Sequence, residues 1–403
     1  MTTWTKQKLG DCLSFRTGKL NSNAAIKNGM YPFFTCSQEV YKTNTWSFDT
    51  ECVLLGGNNA DAIYPLFYFK GKFDAYQRTY VIESKNNNNI RFFYYVLRKK
   101  LEDLRNQSTG ATTKFLTLKI LNNLQITTPN EFIQSQMVAV LSCYDDLIEN
   151  NEKRIRILEE MAQRLYTEWF VKFKFPLARR SLSEGRGHEK VKMLESGTEY
   201  GMIPEGWKVV LMKDVAEIVD CLHSKKPERI RSGTHILLQL NNILENGLID
   251  ILDKYIISED DYQKWIKNIE LRKGDCVITN VGRIAATAQI SGEIRLAAGR
   301  NMTAIRPKRI PDSFLIQYLK SPHIEREVKM KIDAGAIMGS LNVKSIYILK
   351  ILLPDDSTLE NFSVIASSWR EEMNILHVQN SVLKRTRDLL IPQLVSGKRE
   401  LKN

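Results

Sequence analysis

The sequence predicts an α+β protein in which one unit is used twice: two β-rich domains, each followed by a long helix, form a pseudo-two-fold repeat. The two helices are expected to pair as an antiparallel coiled coil. Three observations predict this: an internal repeat, strand-length apolar runs inside each copy, and two heptad seams of equal length.

The repeat comes first because it fixes the architecture. Shifted by 225, residues 108–129 lie without gaps on 333–354. Gly110, Ala111, Leu116, Lys119, Leu124, Ile126 and Pro129 then meet Gly335, Ala336, Leu341, Lys344, Leu349, Ile351 and Pro354. The copies also open alike, Trp4, Leu9 and Asp11 answering Trp207, Met212 and Asp214 at a shift of 203, so the second copy holds 22 extra residues. Between these anchors, Glu51-Cys52-Val53-Leu54 aligns with Asp275-Cys276-Val277-Ile278, and Gln77-Arg78 with Arg300-Asn301.

Inside each copy, short runs at 53–55, 66–69, 80–82, 277–279 and 302–305 are bounded by Gly, Asn or Asp and read as strands. A helix is expected at 90–104, with its counterpart at 312–332. After Pro129 and Pro354 the period changes to that of a helix.

From Met137 the positions Leu141, Tyr144, Ile148, Asn151, Ile155, Leu158, Ala162, Leu165 and Trp169 follow in steps of four and three. The same steps recur 225 residues on, from Phe362 to Leu394, interrupted by the polar Asn380 and Arg387. Asn151 is fifth in its seam and Asn380 sixth, so in an antiparallel pair the two amides meet and fix the register. The expected boundaries are a first domain at 1–130, a central helix at 131–175, a linker at 176–203, a second domain at 204–355 and a terminal helix at 356–403.

Composition narrows the function. The chain of 403 residues has a formal charge of +12. Basic proteins without membrane helices often bind nucleic acid, since neutralising phosphates releases counterions, although a generically basic surface gives the same number. No apolar run is long enough for a bilayer and no signal peptide is evident, so a cytoplasmic location is expected. The six scattered cysteines lack metal-ligand spacing and read as reduced thiols; no metal site is expected. The five histidines are dispersed. There is no phosphate-binding Gly-x-x-x-x-Gly-Lys-Ser/Thr loop and no Asn/Asp-Pro-Pro-Tyr segment, and Pro354-Asp355-Asp356 lacks the acidic-x-Lys that a nuclease motif needs. No catalytic residues are therefore assigned.

Reading base edges needs Arg or Lys for guanine, Asn or Gln for adenine, and small hydroxyls. Such residues crowd the loops around the strands: Thr35, Ser37, Gln38, Asn58, Asn59, Gln77 and Arg78 in the first copy; Gln239, Asn241, Asn242, Asn280, Arg283, Arg300 and Asn301 in the second. Turn formation is the competing reading for each Asn. Lys19, Lys42, Lys70, Lys72, Lys114, Lys225, Lys226, Lys273 and Arg306 are candidates for phosphate contacts.

Leu165-Tyr166-Thr167-Glu168-Trp169-Phe170, Ile203-Pro204-Glu205-Gly206-Trp207 and the closing Leu394-Val395-Ser396-Gly397-Lys398, in this architecture, resemble the specificity subunits of type I restriction–modification systems along essentially the whole chain. The resemblance implies a non-catalytic subunit with two target-recognition domains, each reading half of a split site in double-stranded DNA, and a helix pair that sets the gap. It also implies two methyltransferase subunits and separate restriction/translocase subunits as partners, which carry S-adenosylmethionine, ATP and magnesium, while this chain carries no cofactor. The alternatives are a coiled-coil protein-interaction scaffold and a nuclease with an unrecognised site.

Overall fold

Alternating apolar residues build, in each copy, an antiparallel sheet whose strands share one spatial order. The structure, a computed structural model, describes residues 4–85, 88–110, 113–176, 192–222, 224–333 and 339–399. It divides into unit 1, Met1–Ile148 with Val382–Asn403, and unit 2, Glu149–Ser381.

In unit 1 the sheet runs Leu13–Thr17, Thr79–Ser84, Phe48–Gly56, Leu66–Ala75, Tyr31–Phe34, Tyr41–Thr43. All neighbours are antiparallel except Tyr31–Phe34 beside Leu66–Ala75. Unit 2 keeps the first four places: Ala216–Asp220, Met302–Pro307, Cys276–Thr279, Thr287–Gln289. One face of each sheet is covered by helices. In unit 1 Val53, Leu55 and Ile82 pack with Phe92, Leu141 and Leu394; in unit 2 Cys276, Ile278 and Ile305 pack with Phe314, Phe170 and Phe362.

Strand register tests the repeat residue by residue. Thr5 pairs Thr128 and Lys208 pairs Leu353, which preserves both the shift of 203 at the opening and that of 225 at the tail. Phe15 pairs Ile82 and Ile218 pairs Ile305, giving 223 for the strand that carries Tyr80–Ile82. The central strand corrects the sequence alignment. Ile82 faces Val53 while Ile305 faces Cys276, so Val53, not Cys52, is the counterpart of Cys276. Matching cysteine to cysteine slipped the strand by one residue, which turns every side chain to the wrong face: Cys52 lies in the core on the far side, with Phe34 and Phe73. Twenty of the 22 extra residues are thereby located. The stretch ahead of the equivalent positions Val53 and Cys276 runs from 18 to 52 in unit 1 and from 221 to 275 in unit 2, twenty residues longer. That stretch includes the helix Glu259–Trp265, whose Tyr262 and Trp265 pack on Leu237 and Ala297.

The expected helix at 90–104 is Ile90–Gln107, capped by Asn89. Its counterpart is not continuous: it breaks into Asp312–Leu319 and Pro322–Lys331. Pro322 offers no N–H to continue the first helix, and Ser321 caps the second through the Ile324 amide.

The long helices are Glu131–Tyr166, followed by a wider turn at Thr167–Val171, and Asp356–Leu394. No seam position is exposed. In unit 2 the Asn151 amide donates to Asn380 Oδ1 at 2.9 Å, Arg154 pairs with Glu372, and Trp169 meets Phe362 at 5.9 Å between ring centroids. As numbers rise along one helix they fall along the other, so this stretch is antiparallel with the expected register. In unit 1 the polar interruption Arg387 is buried and paired with Asp145 at 2.6 Å.

The end signals acquire physical reasons. The Trp207 indole donates to Asp355 and packs on Phe170 and Phe175, while Gly206 turns the chain at φ +88°, a conformation that favours glycine. Gly397, at φ +70°, lies against Trp4, whose ring a Cβ would meet at 2.7 Å. Of the expected linker, 177–191 fall outside the described residues, and Met193–Glu195 pairs with Met202–Pro204 as a hairpin.

Candidate nucleic-acid interface

In unit 1 the end of the central strand organises a loop cluster. Gly57 donates its amide to Arg78 O at 2.7 Å and accepts from the Leu116 amide at 2.8 Å. A Cβ at Gly57 would meet Arg78 O at 2.6 Å and the Tyr80 ring at 2.9 Å, so only glycine lets three chain segments converge. Tyr80 lies over it and donates its hydroxyl to Leu116 O at 2.8 Å; burial pushes this phenol up. The Cys36 thiol also points to Arg78 O, at 3.5 Å, and Gln38 donates to Ile63 O.

The sequence candidates divide. Gln77 and Arg78 are exposed, and the Arg78 guanidinium lies over the Phe115 ring, 5.6 Å from its centroid. Asn59 instead accepts from the amides of Asp61 and Ile63, which makes it a turn former. Thr35 is buried and caps the Ser37 amide, while Ser37 in turn accepts from the Glu39 amide. Asn58 is half-buried and pairs with Phe115 along a two-residue strand.

In unit 2 the same backbone pattern returns. Asn280 donates to Asn301 O at 2.8 Å and accepts from the Leu341 amide at 2.9 Å. Gln239, Asn241, Arg300 and Asn301 line one open cleft of about 300 Å³ with Lys226 and Leu240. Lys226 sits 3.8 Å above the Tyr255 ring, and desolvation there, with Arg229 nearby, pulls its ammonium below the ordinary lysine range. Asn242 and Asn280 are corrections. Both are buried, Asn242 bonded to Asp250 O and the Gln239 amide, Asn280 to Leu341 O and the Thr303 hydroxyl, so neither presents an edge outward. Arg283 is exposed but donates to Ile243 O. Arg306, a phosphate candidate, is clamped by two hydrogen bonds to the buried Asp275, which hold its guanidinium above the usual range.

Phe115, beneath the Arg78 guanidinium, falls outside the hydrogen-bonding residue types that read base edges. Its signal in the sequence is an aromatic residue inside the repeated 108–129 segment, where the other copy has Ser340. Among the described residues no group of histidines, cysteines and carboxylates could hold a metal ion, and no helix is long and apolar enough to cross a membrane. All six cysteines are free thiols, and burial pushes Cys52 up to about 12.

Residues 1–160 match the type I restriction modification DNA specificity domain. The specificity subunit of the Escherichia coli type I restriction enzyme EcoDI is 29% identical over 65% of this chain and 62% of its own length, so the match spans less than two thirds of that relative. The MjaVIII specificity subunit of Methanocaldococcus jannaschii is 23% identical over 99% of this chain and 94% of its own length. The crystal structure of the S subunit from M. genitalium shares the fold, with a TM-score of 0.60 and 16% identity over 98% of this chain and 96% of that one. Along its length the chain is thus similar to type I restriction–modification specificity subunits, and its first 160 residues carry the match to their specificity domain.

Proposed function

We propose that this chain is the non-catalytic DNA-recognition subunit of a type I restriction–modification complex, each unit reading one half of a bipartite duplex site. The observation that carries the reading is the repeated pair of backbone hydrogen bonds, at Gly57 and at Asn280, around which the two copies display different outward residues. A common frame with divergent loops is what two independent readers of different sequences need. Adenine methylation with S-adenosylmethionine is assigned to two methyltransferase subunits, and ATP- and magnesium-dependent translocation and cleavage to restriction subunits. The helix pair is the expected spacer and the surface that recruits the methyltransferases.

Methylation mapping in cells that carry the complete system tests this directly. A split motif should appear, and replacing the first recognition domain with that of a related subunit should change one half only. Methyl transfer by the isolated chain, or a change in both halves, overturns the reading.

A further inference from the structure

We propose that Arg78, held on Phe115, reads a guanine in the half-site of unit 1. The inference rests on the DNA-recognition reading above and names the base that one of its residues selects.

Four other arginines of unit 1 are held by carboxylates: Arg16 by Glu83, Arg91 by Asp146, Arg98 by Asp388 and Arg387 by Asp145. Arg78 is exposed and, among the described residues, has no carboxylate partner; its guanidinium lies on the Phe115 ring. Phe115 itself is 36% exposed, so part of its ring stays open to solvent beside the guanidinium.

Both residues are fixed by the same backbone point. Gly57 donates to Arg78 O, and its own carbonyl accepts from the Leu116 amide, next to Phe115. Phe115 is tied on its other side to Thr109 by two backbone hydrogen bonds, 2.7 and 3.1 Å. Gln77, adjoining Arg78, donates its amide to Leu20 O at 3.0 Å. The pair is therefore built before DNA arrives.

This arrangement suits a base edge better than a phosphate. A phosphate contact needs only a positive charge within reach, which a mobile lysine supplies. A guanine presents O6 and N7 in one plane, and a guanidinium whose orientation is restrained by an aromatic ring offers two parallel donors to match. In unit 2 the corresponding positions are Asn301 and Ser340, so the element is specific to one half-site.

The test uses the complete methyltransferase complex. The methylated motif is mapped for the wild type and for Arg78→Ala, Arg78→Lys and Phe115→Leu, and binding is measured on duplexes carrying 7-deazaguanine, which lacks N7, at each guanine of the first half-site in turn. Wild type should lose binding at one guanine by roughly tenfold or more, the order expected for a bidentate pair. Arg78→Ala should be indifferent at that guanine and accept other bases there, while Arg78→Lys, which can still donate to O6 and N7 but lacks the planar fork, and Phe115→Leu should each retain the preference but weaken it several-fold. The second half-site, unchanged in every variant, shows that the protein has folded. A first half-site without guanine on either strand, a wild type indifferent to every substitution, or an Arg78→Ala variant that binds all sequences equally more weakly with a shallower salt dependence overturns the proposal. The last result makes Arg78 a phosphate contact. Absence of any split motif would instead sink the recognition reading itself.

Discussion

The two units solve the same local problem with different side chains. In unit 1 the carbonyl of Leu116 is met by the Tyr80 hydroxyl, which lies over a glycine; in unit 2 the equivalent carbonyl of Leu341 is met by the Asn280 amide, steadied by the smaller Thr303. Large-plus-glycine has become small-plus-asparagine. The helix seam shows the same freedom: Arg387 pairs with Asp145 in unit 1, whereas at the equivalent places of unit 2, by the shift of 225, stand Ala162 and Arg370, whose guanidinium donates to the carbonyls of Asn246 and Gly247. The helix starts do too. Asn130 accepts from the Ile133 amide, and Asp355 from the Thr358 amide. What is kept between the copies is backbone geometry and satisfied polar groups, and the residues are exchangeable in compensated pairs.

The largest effect is expected at the charged seam. Arg387→Leu leaves Asp145 facing the seam with, among the described residues, the Tyr95 hydroxyl at 2.5 Å, and should lower stability by about 3 kcal/mol. Chemical unfolding of the purified chain measures it, and a loss under 1 kcal/mol would mean that the pair is surface-like. In unit 2, Asn151→Leu alone should cost about 1–3 kcal/mol by stranding the partner amide. Adding Asn380→Leu should restore stability, with loss of register expected to appear as mixed assembly states in sedimentation. If the double variant is no more stable than the single, the amides act independently.

Transplanting unit 2's solution into unit 1 sharpens the first comparison. Gly57→Asn alone drives a Cβ into Arg78 O and the Tyr80 ring and should cost about 1–3 kcal/mol. Combined with Tyr80→Thr it should cost clearly less than the two single effects added, since the amide then has room to reach Leu116 O. Strict additivity in the double-mutant cycle would show that the two frames are not interchangeable.

The smallest effect separates the helix starts by pH. Although burial raises it, the Asp355 carboxyl is held below its ordinary value, because hydrogen bonds from the Thr358 amide, the Thr358 hydroxyl and the Trp207 indole favour the charged form. A depressed folded-state pKa stabilises above the unfolded value, roughly 3.9, and that stability disappears as pH falls through the lower folded value. Asp355→Asn should therefore flatten part of the acid limb of the stability profile, with a loss of about 1 kcal/mol or less near pH 7. Substitution of Asn130 should leave the limb's shape intact. An unchanged acid limb in Asp355→Asn would rule out this carboxyl as the titrating cap.

Much of this was legible in the chain itself. The shifts of 203 and 225, the heptad seams and the meeting of Asn151 with Asn380 all follow from periodicity, and periodicity is local: a helix presents the same face every seven residues whatever surrounds it. Tertiary structure alone decided the fate of single polar residues and the alignment of the central strand. Asn280 looked like a reader beside Arg300 and Asn301, yet its amide is taken by a carbonyl 61 residues away. Arg78 acquired its support from Phe115, on a segment that only the turn at Gly57 brings near. Cys52 and Cys276 matched as letters but point to opposite faces, because a strand's facing is set by the partner it pairs with. Periodic patterns survive in one dimension; hydrogen-bond partners and strand registers depend on which distant segments meet, and those the folded chain supplies.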